Sequence, residues 1–367
     1  MTTFRRFAAL ALVFLAPAAL AQSGNYELFL DNSQLSAVAV QQDDPTFPSS
    51  GFRTGQEGWV RVNFVVTPDG RTADAIIVDS VGGPAFEEAA LEAVGEWQFE
   101  PGDAEISRNV VDMRFELRRG REAATSNFLR RYQRIMSHVL EEEMDYARNQ
   151  VDAAVELGGW NLYEEAMLAL MIGRVEGLEN DPAEKLEYYL RAIALASQRA
   201  LDGPDRRDAL SRVFEIQHFY GQYGSAQLTL AALNSLPRGE RTAENLTPKI
   251  DEIEAALQDG APITVKGRLY TPCNCDEGRP LWHYYPARSE FSFANVSGNV
   301  ESFEARCEAS RISGDVEDGG QWTLPEAPAR CEIFVFGADG ASFEILEHAS
   351  NETTARLLGN DGLDRTN

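Results

Sequence analysis

Cysteine and histidine are the residue types in this 367-residue chain that could carry redox, metal or nucleophilic chemistry, with four of each. Cys273, Cys275, Cys307 and Cys331 all lie in the last third, and His283 follows the first pair. A zinc site generally needs two cysteines with two to four residues between them plus two further ligands, and Cys273-Asn274-Cys275, with one residue between, is too tight for that. An even number of cysteines confined to one segment points to disulfides instead. Three connectivities satisfy four cysteines. The preferred one joins Cys307 to Cys331, closing a loop of about two dozen residues worth ~3 kcal/mol. Cys273 then pairs with Cys275 in a strained, easily reduced ring.

His138, His218, His283 and His348 are scattered over the chain, and none sits in a nucleophile motif. There is no Gly-x-Ser-x-Gly elbow and no phosphate-cradling glycine loop. Glu141-Glu142-Glu143 reads as a solvated helix face. The sequence therefore assigns no catalytic residue, no metal site and no cofactor, and it reads as a binding protein rather than an enzyme.

The elements that hold these residues fall into three groups. From Asp259 onward, Ile263–Tyr270, Glu290–Val296, Glu332–Gly337 and Ser342–Leu346 alternate with a period of two, between turns rich in Gly, Pro and Asn. This predicts an all-β domain of about six strands over 259–350, a sandwich or small barrel. Residues 351–367 are polar and read as a tail. Before it, 120–258 carries amphipathic helical stretches with short connections, including Asp181-Pro182 as a helix start. Tyr220-Gly221-Gln222-Tyr223-Gly224-Ser225-Ala226, closing at Pro237, has the look of the second half of a tetratricopeptide repeat. Such repeats would offer a concave partner-binding face; a plain helical bundle joining two domains is the other reading.

The stretch from Pro45 to Pro101 is the most informative. Val60, Val62, Phe64 and Val66 alternate with Arg61 and Asn63, a half-buried strand. Gly51–Gly58 before it reads as a loop. Thr67-Pro68-Asp69-Gly70 supplies a turn, and Ala75–Ser80 returns as a second strand. After Gly82-Gly83, Pro84 opens a helix with Phe86, Ala89, Ala90, Ala93, Val94 and Trp97 on one face. A third strand places Val111, Met113, Phe115 and Leu117 on one side. Residues 22–44 form a short helix, a strand or a lead-in, and the sequence does not choose.

These residues resemble the C-terminal domain of the TonB family of energy transducers. The resemblance rests on Phe47-Pro48, Gly58-Trp59-Val60-Arg61-Val62-Asn63-Phe64, Asp69-Gly70, Ser80, Ala89-Ala90-Ala93 and Trp97-Gln98-Phe99-Glu100-Pro101. It implies a small β-β-α-β domain within 22–119, with Phe47, Pro48, Phe64, Phe86, Trp97, Phe99, Met113 and Phe115 in its core. It further implies that the third strand lies at a sheet edge and captures an extended peptide by strand addition. The binding residues are then Asn109, Val110, Asp112, Arg114 and Glu116. The implied partner is a protein or peptide, such as the periplasmic segment of an outer-membrane receptor. Use of the fold as a packing or homodimer unit is the alternative, making the chain an envelope scaffold that recognises partners through its helices.

Residues 1–21 read as a signal peptide, with Arg5-Arg6, an apolar run from Phe7 to Leu20, and Ala19-Leu20-Ala21 before Gln22. Cleavage there predicts a soluble periplasmic protein, and an uncleaved leader predicts an inner-membrane anchor and membrane contact. The energy transducers themselves carry an N-terminal membrane helix and a Pro-rich spacer, which this arrangement lacks. A formal charge of −25 argues against nucleic acid as a partner. The expected fold class is thus multidomain α+β: a TonB-like domain, a helical-repeat-like region, then a disulfide-bearing β domain.

Overall fold

The computed structural model describes residues 26–117, 123–175, 182–196, 201, 203–237, 246–271 and 279–349. The leader, the tail, and Cys273 and Cys275 lie outside the described residues.

The first module is a four-stranded sheet with one main helix. Its strands and helices in chain order are β1 (Tyr26–Gln34), β2 (Ala39–Gln41), α1 (Ser49–Thr54), β3 (Gly58–Val66), β4 (Thr72–Val81), α2 (Pro84–Glu96), β5 (Gln98–Phe99) and β6 (Ile106–Leu117). The sheet order is β1-β6-β3-β4, antiparallel throughout, and β2 pairs with β5 as a separate ribbon. Helix α2 packs on one face over Val60, Val62, Phe64, Val111, Met113 and Phe115, and Phe47, Phe86, Trp97 and Phe99 complete the core. Pro48 is buried beside them. Edge-to-face ring contacts, such as Phe86–Phe115 at 5.3 Å, fix how these rings nest. The stretch read as a loop after Pro48 holds helix α1, ended by Gly55 in the left-handed conformation (φ 76°).

Among the described residues seven helices follow: α3 (Ser126–Leu140), α4 (Met144–Leu157), α5 (Leu162–Val175), α6 (Pro182–Leu195), α7 (Gly203–Phe219), α8 (Tyr223–Ser235) and α9 (Thr247–Gln258). Helices α3 to α8 each pack against the next, and α9 returns onto α7. The Thr125 hydroxyl caps α3 by accepting from the Phe128 N–H at 3.2 Å.

The third module is a β-sandwich. It comprises β7 (Ile263–Arg268), β8 (Leu281–Tyr284), β9 (Glu290–Ser297), β10 (Val300–Arg306), β11 (Arg311–Asp315), β12 (Gln321–Thr323), β13 (Glu332–Gly337) and β14 (Ser342–His348). Two four-stranded sheets, ordered β11-β10-β13-β8 and β12-β9-β14-β7, enclose a core of Phe291, Phe293, Phe303, Val335, Phe343 and Ile345. The four expected runs are strands β7, β9, β13 and β14; β10 and the shorter β8, β11 and β12 were not anticipated. A disulfide joins Cys307 to Cys331 across the ends of β10 and β13, and both cysteines are buried.

Two expectations about the first module are overturned. Strand β6 is not an edge: β1 occupies its free side from Tyr26 opposite Leu117 to Gln34 opposite Val110. Nor is β3 half-buried. Trp59, Asn63 and Val65 on its second face are as buried as Val60 and Val62, because the helices and the sandwich cover that face.

Candidate functional site: a strand edge and a buried seam

Strand pairing decides which backbone groups a partner could reach. Glu116 stands opposite Glu27, Arg114 opposite Phe29, Asp112 opposite Asp31 and Val110 opposite Gln34. On the other side β6 pairs with β3, so both of its ladders are filled from within the chain. The residues assigned to peptide capture therefore have other work. The Asn109 side chain is buried; its Oδ1 accepts from the Ser36 and Ala37 N–H groups and its Nδ2 donates to the Ile106 carbonyl. Val110 is buried as well. Among the described residues the sheet ends in two outer strands, β1 and β4; the Asp74 carbonyl of β4 already accepts from Arg306, which leaves the outer side of β1 as the candidate edge. Its apolar alternation of Tyr26, Leu28 and Leu30, which pack toward the core, was the signal available in the sequence. On the opposite side Phe29 is 46% exposed.

The face of this sheet turned away from α2 forms a seam with the rest of the chain. Arg61 donates to both Asp112 oxygens, from Nε at 2.8 Å and Nη2 at 2.7 Å. Burial disfavours the Arg61 charge, but the Asp112 carboxylate outweighs it and the pKa is raised. Arg114 donates through Nη1 to the Leu195 carbonyl at 2.8 Å and through Nε to Glu116 at 2.8 Å. Arg191 on α6 clamps Asp79 on β4, at 2.6 Å from Nη2 and 3.0 Å from Nε. The Glu57 carboxylate accepts from the Leu117 and Leu162 N–H groups, both at 2.9 Å, tying β6 to the start of α5. Burial raises its pKa despite those two bonds.

On the sandwich side, Arg306 donates to Asn63 and to the Asp74 carbonyl, and Ser107 donates to the Cys307 and Ser310 carbonyls. His283 and Glu332 pair at 2.8 Å beside Asn63. Burial works against both charges. The mutual hydrogen bond nevertheless raises the His283 pKa and lowers that of Glu332. An apolar patch of Val78, Leu281, Phe334 and Phe336 seals the same contact. None of this seam was legible in the sequence, where Arg61, Asn63 and Asp112 look like solvent-facing alternates.

The other histidines are held by local partners. His218 pairs with Glu252 at 2.9 Å, and Ser292 lies 2.8 Å from His348. His138, Glu141 and Glu143 bring their ligand atoms within 4.8 Å of one another at the partly exposed end of α3. The sequence had read that run as a solvated face. Among the described residues, no helix is long and apolar enough to cross a membrane.

Comparison with known proteins agrees with this geometry for one module. Residues 43–117 match the family "Gram-negative bacterial TonB protein C-terminal". The chain is 33% identical over 79 residues to Protein TonB of Pseudomonas aeruginosa, spanning 21% of this chain and 23% of that protein. It is 34% identical over 64 residues to Protein TonB of Escherichia coli K12, spanning 17% and 27%. The match thus covers about a quarter of the curated relatives' length. Among solved structures, the solution NMR structure of the Pseudomonas aeruginosa TonB CTD is 26% identical over 28% of this chain and 95% of that one, with a TM-score of 0.19. Residues 43–117 are thus similar to the C-terminal domain of TonB proteins, and one face of their sheet is built into the rest of the chain.

Proposed function

We propose that the chain is an envelope binding protein with a TonB-like role in transport, which captures an extended segment of a protein partner by strand addition along the outer edge of β1. The family match of residues 43–117 supports the TonB-like role, and the outer position of β1, unpaired there among the described residues, supports this edge. An outer-membrane receptor is the partner class that the family suggests. The leader sequence supports export to the periplasm, with a mature chain starting at Gln22; the intact mass of protein recovered from its native cell tests that start.

The capture reading is tested with a synthetic peptide from the periplasmic end of an outer-membrane receptor of the same cell, titrated by NMR. Successive N–H groups along a strand alternate in direction, so one of Leu28→Pro and Phe29→Pro removes an outward donor and leaves the β6 ladder intact. That variant stays folded and loses peptide binding. A Glu27→Cys/Glu116→Cys pair, oxidised, locks β1 onto β6. Peptide binding that survives the lock supports addition to β1; loss on locking means that the partner replaces β1, and this edge reading fails.

A second reading is favoured by the seam. The sheet face packed against Arg191, Arg306 and Phe334 serves internal assembly, which suits a scaffold that recognises partners through helices α3 to α9. The tetratricopeptide-like reading of 220–237 belongs to this alternative. Peptide capture unaffected by either β1 variant, together with loss on changing exposed Tyr146 and Leu157, favours it.

A further inference from the structure

A cleft of about 580 Å³ opens where the three modules meet. The end of β4 and Gly82-Gly83 form one wall, helices α4 to α6 a second, and the end of β7 with the Asp339-Gly340 turn a third. The volume suits a small organic ligand. Val81, Val155, Leu168, Ile172 and Leu269, with the Trp160 ring, form the apolar part of its walls, and Gln56, Ser80, Tyr270 and Thr271 stand among the uncharged polar part. The Trp160 indole N–H is spent on the Ala154 carbonyl at 2.9 Å, which leaves the ring as an apolar surface.

The charged groups of the cleft are unbalanced. Glu165, Glu187 and Asp339 line it, against Arg191 and Arg268. Arg191 is already clamped on Asp79, so its charge is largely spent. Glu187 accepts a hydrogen bond from the Tyr270 hydroxyl and also feels the charges of His283 and Arg191, yet burial outweighs them and raises its pKa. For Glu165, the forces acting among the described residues are burial, the charge of Arg191 and repulsion from Glu164. Burial dominates and pushes its pKa up to about 7. A half-buried carboxylate with no donor of its own among the described residues gains from a cation brought in by a ligand.

We propose that this cleft binds an organic cation, an amine or guanidinium on a compact apolar body, with Glu165 and Glu187 facing the charge and Trp160 and Leu168 facing the body. An anion would meet three carboxylates. A neutral ligand would leave the half-buried Glu165 without a paired donor among the described residues. Because all three modules line the cleft, occupancy also bridges them. This site stands apart from the β1 edge, and neither reading depends on the other.

The test is calorimetry on the full chain with benzamidine, a flat cation on an apolar ring, and with benzamide and benzoate as neutral and anionic isosteres. Benzamidine is expected to bind saturably at one site, and the two isosteres are not. Glu165→Gln and Glu187→Gln should each weaken benzamidine by about tenfold or more. Each variant should keep the wild-type circular dichroism spectrum, and if one fails to fold the other carries the test. Absence of saturable benzamidine binding overturns the assignment. So does equal binding of benzamide, tighter binding of benzoate, or an affinity that a folded variant leaves unchanged.

Discussion

Arg306 of the sandwich donates through Nη1 to the Asn63 Oδ1 at 2.8 Å, across 243 residues of sequence. Its guanidinium is 1% exposed and also serves the Asp74 carbonyl at 2.7 Å and Glu304 at 3.1 Å. One side chain therefore stitches a strand of the TonB-like sheet to a strand of the sandwich. Removing it strands Asn63 and an acceptor on β4, and buried acceptors without donors are costly. Arg306→Ala is expected to lower stability by about 3 kcal/mol in urea denaturation. Arg306→Lys should recover only part of that, since an ammonium cannot reproduce the planar fork. A loss below about 1 kcal/mol would show that the seam does not rest on this contact.

The Cys307–Cys331 bridge closes a loop with a sequence separation of 24. The chain-entropy account gives about 3 kcal/mol for a loop of that length. Cys307→Ala with Cys331→Ala should lower the urea midpoint accordingly, and wild-type protein under strong reductant should move the same way. Equal midpoints with and without the bridge would contradict it.

Glu347 is 1% exposed, and burial pushes its pKa up to about 7, against the opposing hydrogen bonds from the Ala287 N–H and the Tyr284 hydroxyl and the charge of Arg288. A folded pKa above the ordinary 4.5 means that the folded state holds the proton more tightly. Its stabilising contribution is complete below pH 4.5 and is lost as pH rises through about 7. Glu347→Gln should thus match wild type near the lower limit and exceed it at pH 8, by up to about 3 kcal/mol. Denaturation at those two pH values checks the sign; a variant that is less stable at pH 8 refutes it.

Gly224 opens α8 directly against the Tyr285 and Pro286 carbonyls, where a Cβ would overlap backbone. Nearby Gly221 sits at φ +71° against the Thr264 carbonyl, a conformation and an approach that both demand glycine. Gly224→Ala is expected to cost about 1–3 kcal/mol by forcing the helices from the sandwich. Gly95 in α2 has open space where its Cβ would stand. Gly95→Ala should therefore stabilise by about 0.5–1 kcal/mol, the helix-propensity gain. The opposite signs can be read in one set of thermal melts.

These positions show where sequence reading stops. Gly221 and Gly224 fit a helical-repeat pattern by type and spacing, yet what holds them in the structure is contact with the backbone of the sandwich, strand β7 for Gly221 and the loop after β8 for Gly224. The β-β-α-β order, the Phe47, Phe64, Phe86, Trp97 and Phe115 core, the β-rich C-terminal third and the Cys307–Cys331 pairing were all set by local information. A period of two, a period near 3.6, a Pro-Asp-Gly turn and a loop length need no distant partner to be read.

What only the tertiary structure decided is which strand flanks which, and what covers the second face of a sheet. The alternation of Arg61, Asn63 and Asp112 says that they share a side, not whether water or another module lies there. Their polarity suggested solvent. In the folded chain Arg61 and Asp112 satisfy each other, Asn63 is satisfied by Arg306, and the face is closed. Likewise β6 carries the pattern of a strand, but its status as edge or interior depends on where Tyr26–Gln34 travels. Strand pairing is a long-range hydrogen-bond choice, and no residue within β6 records it.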